Sequence, residues 1–136
     1  MASEMTLRYE GGLRYEATRA KTGRTIHTDV DGEHGGQDDY FSPVELAVAS
    51  LASCVASVMA IVAERSGVDL SNTKIQVQWK MASSPIHRID SIQMEINLPN
   101  WQTVSEAVRR KIQTAINACP VKNSLHPDTH VTVEFA

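Results

Sequence analysis

The sequence predicts an α+β domain with mostly antiparallel strands, in the order βββ–α–ββ–α–β. Three observations carry that expectation. Alternating segments separated by glycine turns fill the first thirty residues, and an uncharged run from Leu46 to Ala63 makes one long helix. Two more alternating segments, an amphipathic stretch and a last alternating segment follow it. The 136 residues suffice for a single domain, 1–136, with a core of its own. A net charge of −3 gives no electrostatic footprint for nucleic acid or an anionic membrane.

Residues 5–10 and 13–19, parted by Gly11-Gly12, read as a β-hairpin. Leu13, Tyr15 and Ala17 alternate toward one face, and Arg14, Glu16 and Thr18 toward the other. Residues 24–30 make a third strand after the Lys21-Thr22-Gly23 turn. The loop from Asp31 to Tyr40 is acidic and glycine-rich, but it lacks calcium-loop spacing and reads as a solvated loop able to border a pocket.

The central helix is expected from Ser42 to Ser66. Ser42 suits the N-cap, Pro43 the first turn, Glu45 the third position of a capping box, and Gly67 the C′ position. A helix of roughly 24 residues is about 36 Å long. Its apolar residues cover every face, which requires burial all round. Eighteen uncharged residues reach the lower bound for a membrane span, yet alanine, serine and valine dominate and no aromatic belt flanks them. A buried helix packed through small residues fits better than a membrane span. One chain of this length would struggle to cover it, so a second subunit is expected.

Beyond the helix, Ile75, Val77, Trp79 and Met81 alternate, as do Ile92, Met94, Ile96 and Leu98. Ile89 is out of phase, which predicts a bulge near Asp90 or Ser91. Thr103 and Glu106 suggest a second capping box, with a helix to about Ala118 and a stripe of Val104, Ala107 or Val108, Ile112, Ala115 and Cys119. Glu106, Arg109 and Arg110 should face outward. Val131, Val133 and Phe135 form the last strand.

Cys54, in the middle of the apolar helix, and Cys119, at the end of the second helix's stripe, both point at the core. They can meet, as inert core thiols or as a redox pair. The dipole at a helix C-terminus disfavours a thiolate at Cys119, and burial raises the pKa of Cys54. A reactive Cys54 therefore needs a cation from elsewhere, for which Arg14, Arg19, Arg24 and Arg88 are the candidates. The five histidines show no HExxH or CxxC spacing that would imply zinc, and there is no phosphate loop or nucleophile elbow. No cofactor or metal is called for. The segment MASEMTLRYE has neither a basic n-region nor an apolar h-region, so the expected location is the cytoplasm.

SPVELAVASLASC (42–54), ACPVKNSL (118–125) and the spacing of the two cysteines resemble the family of osmotically inducible protein C and organic hydroperoxide resistance proteins (OsmC/Ohr). The element order fits as well. The resemblance implies an intertwined homodimer with the long helices central, acting as a thiol peroxidase on organic hydroperoxides. It implies Cys54 as the peroxidatic thiol, Cys119 as the resolving thiol, Arg14 as the activating cation and a lipoyl-type dithiol as reductant. In the family's peroxidases a glutamate ten residues before the first cysteine holds the arginine. Val44 stands there in this chain, and the acid is Glu45, one position on and about 100° round the helix, a candidate site residue that either only caps the helix or orients the activating arginine. That departure keeps a second expectation open: a small-molecule-binding or redox-sensing dimer without efficient peroxidase chemistry.

Overall fold

The computed structural model describes residues 3–136, with Met1 and Ala2 outside the described residues. The chain divides into two compact units, one ending at Ala47 and one running from Val48 to Ala136.

The first unit is a three-stranded antiparallel sheet, β1 (Met5–Gly11), β2 (Arg14–Arg19) and β3 (Thr25–Asp29), in that order. The β1–β2 turn needs left-handed backbone at Gly11 (φ 86°) and Gly12 (φ 63°), which glycine adopts without steric cost. Leu7 opposes Ala17, which opposes Ile26, and Tyr9 opposes Tyr15. These side chains therefore share one face of the sheet, and Leu7 (55 % exposed), Tyr9 and Ile26 remain open on it. Arg8, Glu16 and His27 line up across the other face. The acidic loop begins with a short 3-10 turn, Gly32–His34, capped by Asp31, whose side chain accepts from the His34 N–H.

Helix α1 (Pro43–Arg65) starts as the sequence predicts. Ser42 Oγ accepts from the Glu45 N–H at 3.1 Å, and Glu45 Oε1 accepts from the Ser42 N–H at 3.0 Å. This reciprocal pair is a capping box. By length and composition α1 could cross a membrane. Its residues Val48, Leu51, Ala52, Val55, Met59 and Ala63 instead belong to the core of the second unit. They form one stripe at helical spacing rather than burial on all faces, and Ile61 is left 50 % exposed.

The second unit continues with β4 (Lys74–Ala82), β5 (Arg88–Asn97), α2 (Glu106–Thr114), the short α3 (Pro120–Asn123) and β6 (His130–Phe135). Strands β4 and β5 are antiparallel. Lys80 opposes Ser91 and Met81 opposes Ile89, so Asp90 is the extra residue of the predicted bulge. Strand β6 lies parallel to β5, an arrangement that residue alternation alone does not encode. Helix α2 starts later than the Thr103 signature suggests. Ser105 is the N-cap, its Oγ accepting from Val108 N–H at 3.3 Å. Thr103 belongs to the preceding 3-10 turn, which seats buried Trp101 flat against Phe135 at 4.0 Å. Arg109 is also corrected: it folds back to donate to the Trp101 and Gln102 carbonyls instead of facing solvent. Ile92, Met94 and Ile112 are fully buried at the centre of this unit.

Candidate functional site

The second unit brings Cys54 and Cys119 together. Both thiols are free, Cys54 half-buried on α1 and Cys119 with no exposed surface. Burial pushes the Cys119 pKa up, and a hydrogen bond with Cys54 pushes it further in the same direction. The sequence places Cys119 at a helix C-terminus and assigns its penalty to that dipole. In the structure Cys119 does follow the end of that helical stretch, as the C-cap of the 3-10 turn Ala115–Ala118, and it is also the N-cap of α3, where its Sγ accepts from the Lys122 N–H at 3.3 Å. That bond opposes the shift, whose largest cause is burial. Two thiols packed into one core, one sealed and one more open, can be oxidised stepwise at the open sulfur and then close to a disulfide.

Arg14 lies in the first unit, in a ring of polar groups that the sequence does not announce. Its Nε donates to Asp29 Oδ2 at 3.3 Å. Its Nη2 donates to Asp39 Oδ2 and to Gln37 Oε1, each at 2.8 Å. The Tyr40 ring lies 5.3 Å from the guanidinium carbon, a cation–π distance. Asp29 has no exposed surface and also accepts the backbone N–H groups of Gln37 (3.3 Å) and Asp39 (3.1 Å). Burial alone would raise the Asp29 carboxyl, but those two N–H groups and Arg14 together hold it below the usual carboxylate range. Glu45 is engaged at the helix cap. Among the described residues, the carboxylates paired with Arg14 are Asp29 and Asp39.

Donor atoms of Glu10, Glu16 and His27 lie within 4.8 Å of one another, a spacing compatible with a metal ion. Arg8 already supplies positive charge there, 3.4 Å from Glu16 and 3.8 Å from Glu10, and His27 Nδ1 sits 2.7 Å from Glu10. The second unit also has an apolar cavity of about 300 Å³ whose lining includes Met59, Ala63, Leu70, Ile112 and Phe135 but neither cysteine.

The model of the OsmC-like protein family matches residues 36–134. The chain belongs to the OsmC-like family. A solved structure from Psychrobacter arcticus, of a protein provisionally described as an osmotic stress induced and detoxification response protein, superimposes with a TM-score of 0.89. It is 28 % identical, and the match covers 100 % of this chain and 96 % of that one. An organic hydroperoxide resistance protein OsmC from Legionella pneumophila matches with a TM-score of 0.74 at 12 % identity, covering 100 % and 97 %. The organic hydroperoxide resistance protein OhrB of Bacillus subtilis matches with a TM-score of 0.68 at 16 % identity, covering 100 % and 98 %. The last two show the shared fold. No curated protein matches the chain.

Asp29 and Asp39 are the polar residues that the sequence reading missed in this OsmC-like chain. Asp29 ends a strand candidate and Asp39 sits in a loop rich in acids, so both pass for solvated charges. The available signal was the glycine pair Gly35-Gly36, which marks a loop that turns back tightly on itself.

Proposed function

We propose that this OsmC-like chain is a thiol peroxidase that reduces organic hydroperoxides, working as a cytoplasmic homodimer in which residues 1–136 act as one domain. The observation that carries the reading is the packing of half-buried Cys54 against the same core that seals the free thiol of Cys119. The Cys54 thiolate attacks the distal peroxide oxygen. The O–O bond breaks, the alkoxide leaves and is protonated to the alcohol, and Cys54 becomes a sulfenic acid. The Cys119 thiol then attacks that sulfur, forming the disulfide and releasing water. A lipoyl-type dithiol reduces the disulfide and is itself oxidised to a cyclic disulfide. By family correspondence Arg14 supplies the cation that favours the Cys54 thiolate and the departing alkoxide.

The homodimer has its own support. Each unit leaves apolar side chains open that a second subunit can bury: Leu7, Tyr9 and Ile26 on the sheet of the first, and Ile61 on the α1 segment of the second. The second reading, a binding or redox-sensing dimer, is favoured by Val44 at the acid position.

Consumption of cumene hydroperoxide in the presence of dihydrolipoamide separates the two. The peroxidase reading expects turnover by the native chain, loss of it in Cys54→Ser, and a single turnover in Cys119→Ser. Equal rates for the native chain and Cys54→Ser would overturn it.

A further inference from the structure

We propose that Asp29, assisted by Asp39, is the acid that positions Arg14 in this chain, taking the place of the missing acid at position 44. The proposal rests on the reading of Arg14 as the activating cation. Three features of the first unit support it.

The first is the environment of Asp29. A carboxylate without exposed surface is costly unless it is paired and hydrogen-bonded. Asp29 receives the Gln37 N–H on Oδ1, and the Asp39 N–H and Arg14 Nε on Oδ2. The second is the closure of the ring. The two residues whose backbone N–H groups hold Asp29 also hold Arg14 through their side chains. Displacing any one member therefore disturbs the other three. The third is the way the guanidinium is used. Nε and Nη2 are committed to this ring, whereas among the described residues Nη1 makes no protein hydrogen bond. Arg14 also lines an open hollow with Glu10, Gly11, Gly12, Gln37 and Tyr40. A planar guanidinium fixed along one edge presents its other edge in one orientation, as required of a group that must meet a thiolate or a peroxide oxygen. Asp29 touches no reacting atom in this scheme and acts through Arg14.

A screening role and a positioning role predict opposite signs. If Asp29 merely neutralised Arg14, its removal would leave the activating cation stronger and speed the reaction at Cys54. If it positions Arg14, removal slows it.

The test uses the full chain and two readouts: the rate of iodoacetamide alkylation at Cys54 as a function of pH, and kcat/KM for cumene hydroperoxide. Asp29→Asn keeps the shape and part of the hydrogen bonding. It is expected to lower kcat/KM at least tenfold and to move the alkylation midpoint to higher pH. Arg14→Lys should do the same, and the double variant should be no worse than Arg14→Lys alone. Asp39→Asn alters a side chain that is mostly exposed and serves if Asp29→Asn does not fold. It is expected to cost several-fold, with Asp39→Glu restoring most of the loss. An unmoved or faster Cys54 in Asp29→Asn beside a slowed Arg14→Lys would overturn the positioning role, as would additive losses in the double variant. Alkylation needs no peroxide turnover. A chain inactive toward hydroperoxide whose Cys54 profile still shifts in both variants would overturn the peroxidase reading and retain this one.

Discussion

Gly36→Ala strikes the loop that carries Gln37 and Asp39 to Arg14. The φ of Gly36 lies outside the left-handed range, so backbone strain is not the difficulty. The difficulty is space, because a Cβ there would lie 1.5 Å from the Val30 carbonyl oxygen and 2.9 Å from Asp29 Oδ1. Ordinary contact begins at 3.4 Å, so the backbone must give by about 2 Å, the shortfall from 3.4 to 1.5 Å. The atom in the way is main chain, which no side-chain rotation can clear. Overpacking of this kind typically costs 1–3 kcal/mol, and a main-chain clash belongs near the upper end of about 3 kcal/mol. At roughly 4 °C per kcal/mol for a chain of this length, the melting midpoint should fall by about 12 °C. The N–H bonds from Gln37 and Asp39 to Asp29, at 3.3 and 3.1 Å, cannot survive such a displacement. Reactivity at Cys54 should therefore fall in Gly36→Ala, and by about as much as in Asp29→Asn. Circular dichroism melts give the first quantity and hydroperoxide consumption the second. A Gly36→Ala protein with an unchanged midpoint and an unchanged rate would refute both the steric reading of the loop and its role.

Four other outcomes follow from the structure. Glu45→Gln should leave stability and activity close to native, because glutamine completes a capping box. Glu45→Ala should cost about 0.5–2 kcal/mol in urea unfolding with little change in thiol reactivity. Cys54 should alkylate faster than Cys119 in the native fold, because Cys119 is sealed and burial holds it protonated; mass mapping after brief labelling reads the order. Asp29, Asp31 and Asp69 are all held below the usual carboxylate range. Their stabilisation is complete above about pH 4 and is lost as pH falls through the lowered folded values, so the urea midpoint should drop on acidification below about pH 4. A flat profile there would contradict those assignments. Ile61→Glu puts a charge on an exposed apolar position of α1 and should shift sedimentation toward monomer without lowering the monomer's helix content.

Features set by neighbours in sequence were legible, and features set by distant parts of the chain were not. Ser42 and Glu45 are three residues apart, so their reciprocal cap follows from spacing alone. Ile89 falls out of phase with Ile92, and that mismatch alone predicts the bulge at Asp90. The meeting of Cys54 and Cys119 follows because each lies on an apolar stripe with one core to face. By contrast, Thr103 and Ser105 are equally good caps on paper. The choice depends on Trp101 packing against Phe135, more than thirty residues away. The parallel pairing of β6 with β5 depends on how the intervening chain crosses over, which the alternation in 131–135 does not record. The Arg14 ring escaped notice for the same reason. Asp29 is 15 residues from Arg14 and Asp39 is 25, and only the folded loop shows that these acids are partners. The length of α1 was clear from its caps, but its apolar surround suggested burial on every face, whereas this chain alone covers one stripe.

The central claim is that Cys54 and Cys119 form one redox unit that an organic hydroperoxide oxidises. The direct measurement is mass spectrometry of the reduced protein after one equivalent of cumene hydroperoxide, with peptide mapping under non-reducing conditions. The account predicts loss of two hydrogens per chain, a Cys54–Cys119 linked peptide, and a trappable sulfenic acid at Cys54 when Cys119 is serine. Two thiols that remain reduced, or oxidation confined to Cys119, would contradict it.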